Sequence, residues 1–389
     1  MMKPTNKVIY LVMSIWLMLM MGAVYTYSVF RPYVENTFTL NTLQSGLPYM
    51  ASLFFYALSM MITGRLLKHT NTSLIMTIGL LLIGAGWFIA GSTESFIIFV
   101  ISYGWMIGTG VGMVYGIPIR GIQDVYPLRK GFYMGIVLLG FGLSTLIVAP
   151  VSTFLIDRYG FSQTLHIYGY SFLVMLLPFV FLIRPIKPME LEVKNNLSFQ
   201  QSLSITGRRL YIYFVFSTTI GLMMIGLSYY IGVSVYQFDA WKIAFSMSLF
   251  AIMNGIARPI FGWLMDKKGF TFSTFISLGL IMIASIISMI NRGTHLALFM
   301  ISYGLFWFNL GAWLAIIPAA VRMKYEPSEY SKRYGLIFTG YGIGAIIGTL
   351  LSGFIMDIFG DTLYIYLMIL LIVGFLFLQT FQINKKATV

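Results

Sequence analysis

At 389 residues, 58% hydrophobic and only 10% charged, the chain carries more apolar surface than a soluble core of its size can use, since soluble domains are about 25% charged; a lipid bilayer is the outer solvent that fits. Cysteine is absent, which excludes disulfides, thiolate catalysis and Cys-based metal sites, and the three histidines are not paired at ligand spacing, so no metal or cofactor is expected. A formal charge of +13 would point to nucleic acid in a soluble protein, but here the basic residues gather in short connections between apolar runs, as in a polytopic membrane protein, and no nucleic acid is expected.

A spanning helix needs roughly 20 apolar residues. Twelve runs qualify in chain order: 8–30, 45–67, 73–91, 96–120, 131–156, 164–184, 209–231, 243–265, 271–291, 295–322, 333–358 and 361–383. The first is too long for a signal peptide, lacks a small-residue cleavage site and precedes eleven more spans. Between the sixth and seventh lies the longest polar stretch, "RPIKPMELEVKNNLSFQQSLSITGRR". The expected fold is therefore an all-α membrane protein with 12 transmembrane helices in two pseudo-symmetric six-helix bundles, residues 1–184 and 209–389, joined by a central loop over 185–208. With the N-terminus in the cytoplasm, twenty Lys and Arg fall inside and four outside, the four being Arg31, Arg158, Lys242 and Arg292. That bias places both termini on the cytoplasmic side of the cell membrane and makes the central loop cytoplasmic.

The halves repeat. "FVISYG" (99–104) returns as "FMISYG" (299–304), "GFG" (140–142) as "GYG" (340–342), "TFLIDRYG" (153–160) as "GFIMDIFG" (353–360), and "GRLLKHTN" (64–71) corresponds to "GWLMDKKG" (262–269). Repeats of this kind build many secondary transporters, whose substrate site lies between the halves near the membrane midplane. The Gly runs "GTGVG" (108–112) and "GYGIG" (340–344) lie inside apolar spans and not after a strand, so they read as helix-packing surfaces and not as nucleotide fingerprints.

All twelve Asp and Glu fall in connections or at helix ends by this reading, and one cation, Arg258, lies well inside a span, about 6 Å from its centre at roughly 1.5 Å per residue. A charge there costs at least about 2.5–3.5 kcal/mol and normally faces a partner or a wet cavity. Arg258 can snorkel to the cytoplasmic interface or bond carbonyls freed by Pro259. With no carboxylate nearby in the span, the leading reading is that its counter-ion is the cargo: a small organic anion whose carboxylate meets the planar guanidinium fork. Asn254 lies one turn earlier on the same face and is expected to help bind. Tyr25 and Tyr27 on the first span, Tyr115 on the fourth, Trp307, Phe308 and Asn309 on the tenth and Tyr341 on the eleventh, with Phe141 its first-half counterpart, are expected to line the cavity, aromatic walls that also offer hydrogen bonds. Asp266, beside Lys267 and Lys268, is expected to cap a neighbouring helix and latch one conformation.

These residues resemble the major facilitator superfamily over nearly the whole chain: its marks are the twelve spans, the central loop and the G-x-L-x-D-K-x-G loop at 262–269. Within it, "GAVYTYSVF", "GTGVGMVYG" and "NGIARPIFGWLMD" look like the branch of oxalate–formate antiporters and monocarboxylate transporters. The resemblance implies that Arg258 is the substrate-binding arginine of the eighth span, and that Tyr25, Tyr115 and the span-ten aromatics form an aromatic cage. Where the oxalate antiporter has a Lys before a Gly on the eleventh span, this chain has Tyr341. Two cations suit a dianion and one a monoanion, so lactate, pyruvate or formate is favoured over oxalate. Many monocarboxylate carriers place an Asp one turn before the arginine; this chain has Asn254, which leaves exchange, facilitated passage and proton cotransport open. A drug-like or sugar cargo is the alternative, although the fourth span lacks the Arg followed by Gln-Gly of drug–proton exporters. No nucleophile–base pair lies within the spans and the loops are too short for a sensor domain, so an enzyme is not expected. The carrier is expected to work as a monomer in the bilayer.

Overall fold

The computed structural model describes residues 4–66, 70–126, 130–182, 205–325 and 327–387. Of the expected central loop, residues 185–204 lie outside the described residues, and helix has begun by Ile205.

In the first half, helix α1 (Pro4–Met21) tightens into a single-turn stretch at Gly22–Thr26 and continues as α2 (Tyr27–Phe38). Then come α3 (Thr42–Leu66), α4 (Thr72–Ser92), the short α5 (Phe96–Phe99) running through a wider-wound stretch at Val100–Ile107 into α6 (Gly108–Val125), α7 (Lys130–Tyr159) and α8 (Phe161–Leu182). The second half has α9 (Ile205–Tyr230) with a wider-wound end at Ile231–Val235, α10 (Ala240–Asn291), α11 (Leu296–Lys324), α12 (Pro327–Phe359) and α13 (Leu363–Ala387). Among the described residues, ten stretches are long and apolar enough to cross a bilayer. One of them, α10, runs through two spans: Gly269 breaks it at φ 77°, ψ −176°, a conformation essentially restricted to glycine. With that break counted, and with α8 as the sixth span, the twelve spans read from hydropathy all have helical counterparts. Large apolar side chains such as Ile97, Val174, Ile290 and Leu371 stand on the outer surface, where only lipid makes their exposure inexpensive.

The chain divides into two compact units: residues up to Thr39 with Leu47 onward through α8, and Leu40–Gly46 with everything from α9. In the first, α1 packs on α7, and α4 on α8 and α6. In the second, α10 packs on α11 and α13, and α9 on α12 and α11. The sequence repeat has a structural counterpart in each unit. Phe99 stacks on Tyr103 in the first and Phe299 on Tyr303 in the second, and Gly160 and Gly360 both take positive φ after the fifth and eleventh spans. Side-chain caps set several helix starts, a preference rooted in the free N–H groups of the first turn. Asn71 accepts from the Ser73 amide at 3.0 Å and Asp239 from the Lys242 amide at 2.9 Å. Within the second unit, Asp357 caps the start of α3 through the amides of Thr42 at 2.9 Å and Leu43 at 3.1 Å.

Candidate functional site

Arg258 occupies the α10 stretch ahead of Gly269 and is half-buried. Its Nη2 donates to Oδ1 of Asn254 at 3.2 Å, the i, i+4 spacing that places both on one helix face. Asn254 is fully buried and its Nδ2 donates to the backbone carbonyl of Trp307 on α11 at 2.8 Å. Trp307, also fully buried, donates from Nε1 to Oγ of Ser228 on α9 at 2.9 Å, and the Ser228 hydroxyl donates to the Met224 carbonyl at 2.6 Å. A continuous polar relay thus crosses three helices and ends on the guanidinium. Gly311 permits it: a Cβ there would collide with the Asn254 backbone carbonyl, so α10 and α11 meet backbone to backbone at this level. A guanidinium carries five N–H donors in a rigid fork, of which the Asn254 carbonyl takes one, and the relay holds that fork by its neighbour.

Of the other expected site residues, Trp307 joins Arg258 and Asn254 in this relay. Asn309 accepts from the Ser277 hydroxyl at 2.6 Å and donates to the Leu305 carbonyl at 3.1 Å; its amide pins the ninth span to the tenth. Phe308 packs edge-on against Phe261. Tyr341 is buried in a stack on Phe338, with centroids 5.3 Å apart, and beside Phe214. In the first unit, Tyr25 and Tyr115 both meet Phe141, at 5.3 and 5.2 Å, and Tyr56 completes the group 5.2 Å from Tyr115. Tyr27 belongs to a different cluster, with Tyr49 at 5.8 Å and Tyr103 at 5.0 Å. Asp266 is exposed and accepts from Nη2 of Arg322 at 3.1 Å: it meets a side chain rather than a helix end, and such a surface pair contributes about 0–1 kcal/mol. Lys267 lies over the Trp263 ring at 4.9 Å. The "GTGVG" run is a packing surface, since a Cβ on Gly108 or Gly110 would strike the carbonyl of Ser52 or Gly79. Among the described residues, no three His, Asp or Glu side chains gather to hold a metal.

One sequence expectation needs correction. Arg31 was expected in an outer connection; it is instead helical, and with Glu35 it lies in the last turns of α2, Nε to Oε1 3.5 Å apart. Glu35, in the last turn before Phe38, keeps the helix-end position expected of it. Ser228 and Tyr56 were not identified at all. A lone serine among "GLSYYIG" and one more tyrosine in a chain that is 17% aromatic carry no signal above background.

The sequence model described as Major Facilitator Superfamily matches residues 13–323. Among curated proteins the chain is 24% identical over 345 residues to the uncharacterized MFS-type transporter YhjX of Escherichia coli (strain K12), covering 84% of this chain and 82% of that one. It is 22% identical to the oxalate:formate antiporter of Oxalobacter formigenes, covering 88% and 85%, and 22% identical to monocarboxylate transporter 11 of Mus musculus, covering 74% and 67%. Among solved structures it is similar in fold to the nucleoside transporter NupG, with a TM-score of 0.68 at 14% identity over 97% of this chain and 98% of that one. A bacterial homologue of the lysosomal transporter Spinster, in an inward-facing and occupied conformation, gives a TM-score of 0.72 at 17% identity over 92% and 83%.

Proposed function

The chain belongs to the major facilitator superfamily, and from that premise we propose that this multi-pass transporter moves a small monocarboxylate, such as lactate, pyruvate or formate, by alternating access, with Arg258 holding the carboxylate. The observation that carries the reading is the relay from Ser228 through Trp307 and Asn254 to Arg258. A permanently charged group inside a span is expensive and marks a substrate or ion path. A side chain built only to snorkel would not need its neighbour locked by a buried amide to the next helix. Preorganised donors of this kind bind a planar anion with little loss of side-chain freedom.

The names of two of the relatives point to anion chemistry, an oxalate:formate antiporter and a monocarboxylate transporter. A dicarboxylate such as oxalate asks for a second cation; Arg31 is buried but already faces Glu35, and Tyr341 occupies the eleventh-span position. Tyr25 and Tyr115 serve in this reading as aromatic walls of the path, and Asp266 and Lys267 as parts of a cytoplasmic-side loop that changes partners during the cycle. The carrier works in the cell membrane as a monomer with both termini cytoplasmic, and it makes no chemical change to its cargo.

The test is uptake of labelled lactate, pyruvate and formate into proteoliposomes. Arg258→Ala and Arg258→Lys are expected to lower uptake at least about a hundredfold, as loss of the charged, forked hydrogen bonding to the carboxylate costs about 3 kcal/mol, while the protein keeps its elution profile and helicity. Undiminished uptake in either variant removes Arg258 from the mechanism.

A further inference from the structure

We propose that the groove between the starts of α10 and α11 is a binding site for an anionic phospholipid, whose phosphate headgroup meets Lys242. The groove has a volume of about 440 Å³ and is lined by Trp241, Lys242, Phe245, Ser246, Leu296 and Met300. It lies wholly within the second unit and shares no residue with the relay that ends on Arg258.

Spacing along the two helices gives the groove a direction. Trp241 and Phe245 are one turn apart on α10, as are Lys242 and Ser246, and Leu296 and Met300 are one turn apart on α11. Each pair steps inward from its helix start by about 6 Å, at about 1.5 Å per residue. The level at the helix starts holds the Lys242 ammonium and the Trp241 indole. One turn deeper stand the apolar side chains of Phe245 and Met300, and Ser246 gives its hydroxyl hydrogen to the Lys242 carbonyl at 2.7 Å. A cation and an indole at the surface with apolar walls below them match a phospholipid lying in one leaflet, headgroup at the interface and chains beneath.

Phe245 keeps 62% of its surface outside the protein, and in a bilayer hydrocarbon covers such a ring. Charge is what selects one class of lipid. Lys242 is exposed, and among the described residues it belongs to none of the ion pairs. The charged groups near it in sequence are engaged elsewhere: the Asp239 carboxylate caps α10 by accepting from the Lys242 amide at 2.9 Å, and Arg292 pairs with Asp361. His295, exposed just ahead of Leu296, brings no negative charge. A lysine that lines an apolar groove, with three N–H donors and no protein anion to neutralise it, suits a phosphate carried on acyl chains.

The test titrates the purified carrier, stripped of lipid in detergent, with phosphatidylglycerol or with phosphatidylcholine of the same chains, and counts bound lipid by native mass spectrometry. The wild type is expected to bind its first phosphatidylglycerol about fivefold more tightly than phosphatidylcholine, the effect of one cation on an anionic headgroup at a membrane surface. Lys242→Gln abolishes the preference and Lys242→Arg keeps it. Arg158→Gln, which removes an exposed cation of the first unit, leaves it unchanged. Phe245→Asn weakens both lipids alike, because it removes apolar cover and no charge. In phosphatidylcholine vesicles with a minor share of phosphatidylglycerol brominated in its chains, a larger fraction of emission is quenched in the wild type than in Trp241→Phe, and brominated phosphatidylcholine at the same share gives no such excess. Equal wild-type affinity for the two lipids overturns the site, as does a preference that survives Lys242→Gln, unaltered binding in Phe245→Asn, or no excess quenching at Trp241. Displacement of the lipid by inorganic phosphate alone also overturns it, as the mark of a free-anion site. So does a dimer that forms as lipid is removed and is lost in Phe245→Asn, which would make the groove an interface between copies. No cargo enters either measurement, so failure here leaves the reading of Arg258 standing.

Discussion

Asn254 decides what Arg258 can do. Its two amide groups are divided between helices: the oxygen accepts from the guanidinium at 3.2 Å and the nitrogen donates to the Trp307 carbonyl at 2.8 Å. Replacing it by Asp places a resident anion on the fork, and a charged hydrogen bond of about 1.5–3 kcal/mol must then be displaced by every cargo molecule. The apparent KM for lactate exchange in Asn254→Asp is expected to rise roughly tenfold to hundredfold; an unchanged KM would mean that the cargo does not compete for the guanidinium. Arg258 and Asn254 were legible in the sequence because polar atoms inside an apolar run stand out. Their anchor was not, because it is a backbone carbonyl, and every residue has one. Arg31 and Glu35 show the converse: in a linear tally two charges signal a connection, and their one-turn spacing lets the end of α2 carry both as a pair.

At the scale of elements, hydropathy located the spans well and their internal breaks poorly. The tightened stretch at Gly22–Thr26 and the wider-wound ones at Val100–Ile107 and Ile231–Val235 lie within continuous apolar sequence, where a change of winding leaves no trace in hydrophobicity. Gly269 was the opposite case. It closes "GWLMDKKG", where polar residues and a glycine mark a turn, and its φ of 77° with ψ of −176° is what allows the eighth span to end and the ninth to begin without a gap. Gly269→Ala is expected to cost about 1–3 kcal/mol, read as a lowered unfolding temperature of the purified carrier. An unshifted transition would mean that this turn relaxes to a conformation open to alanine. Gly311, by contrast, looked like any other glycine of the spans, and its importance comes from what lies opposite, the Asn254 carbonyl.

For the whole molecule, two kinds of regularity in the sequence point in the same direction. The 200-residue repeat sets matching glycine turns and Phe–Tyr stacks in each half, and the bias of twenty Lys and Arg against four in the connections gives the expected orientation. The absence of cysteine allows a direct check. Glu94 and Lys268 are both exposed, in connections that an odd number of spans separates, so they belong on opposite faces of the membrane. In intact cells, Glu94→Cys is expected to react with a membrane-impermeant maleimide, and Lys268→Cys only after the membrane is opened. The reverse pattern would invert the carrier and put the positively charged connections outside, against the bias on which the expected orientation rests.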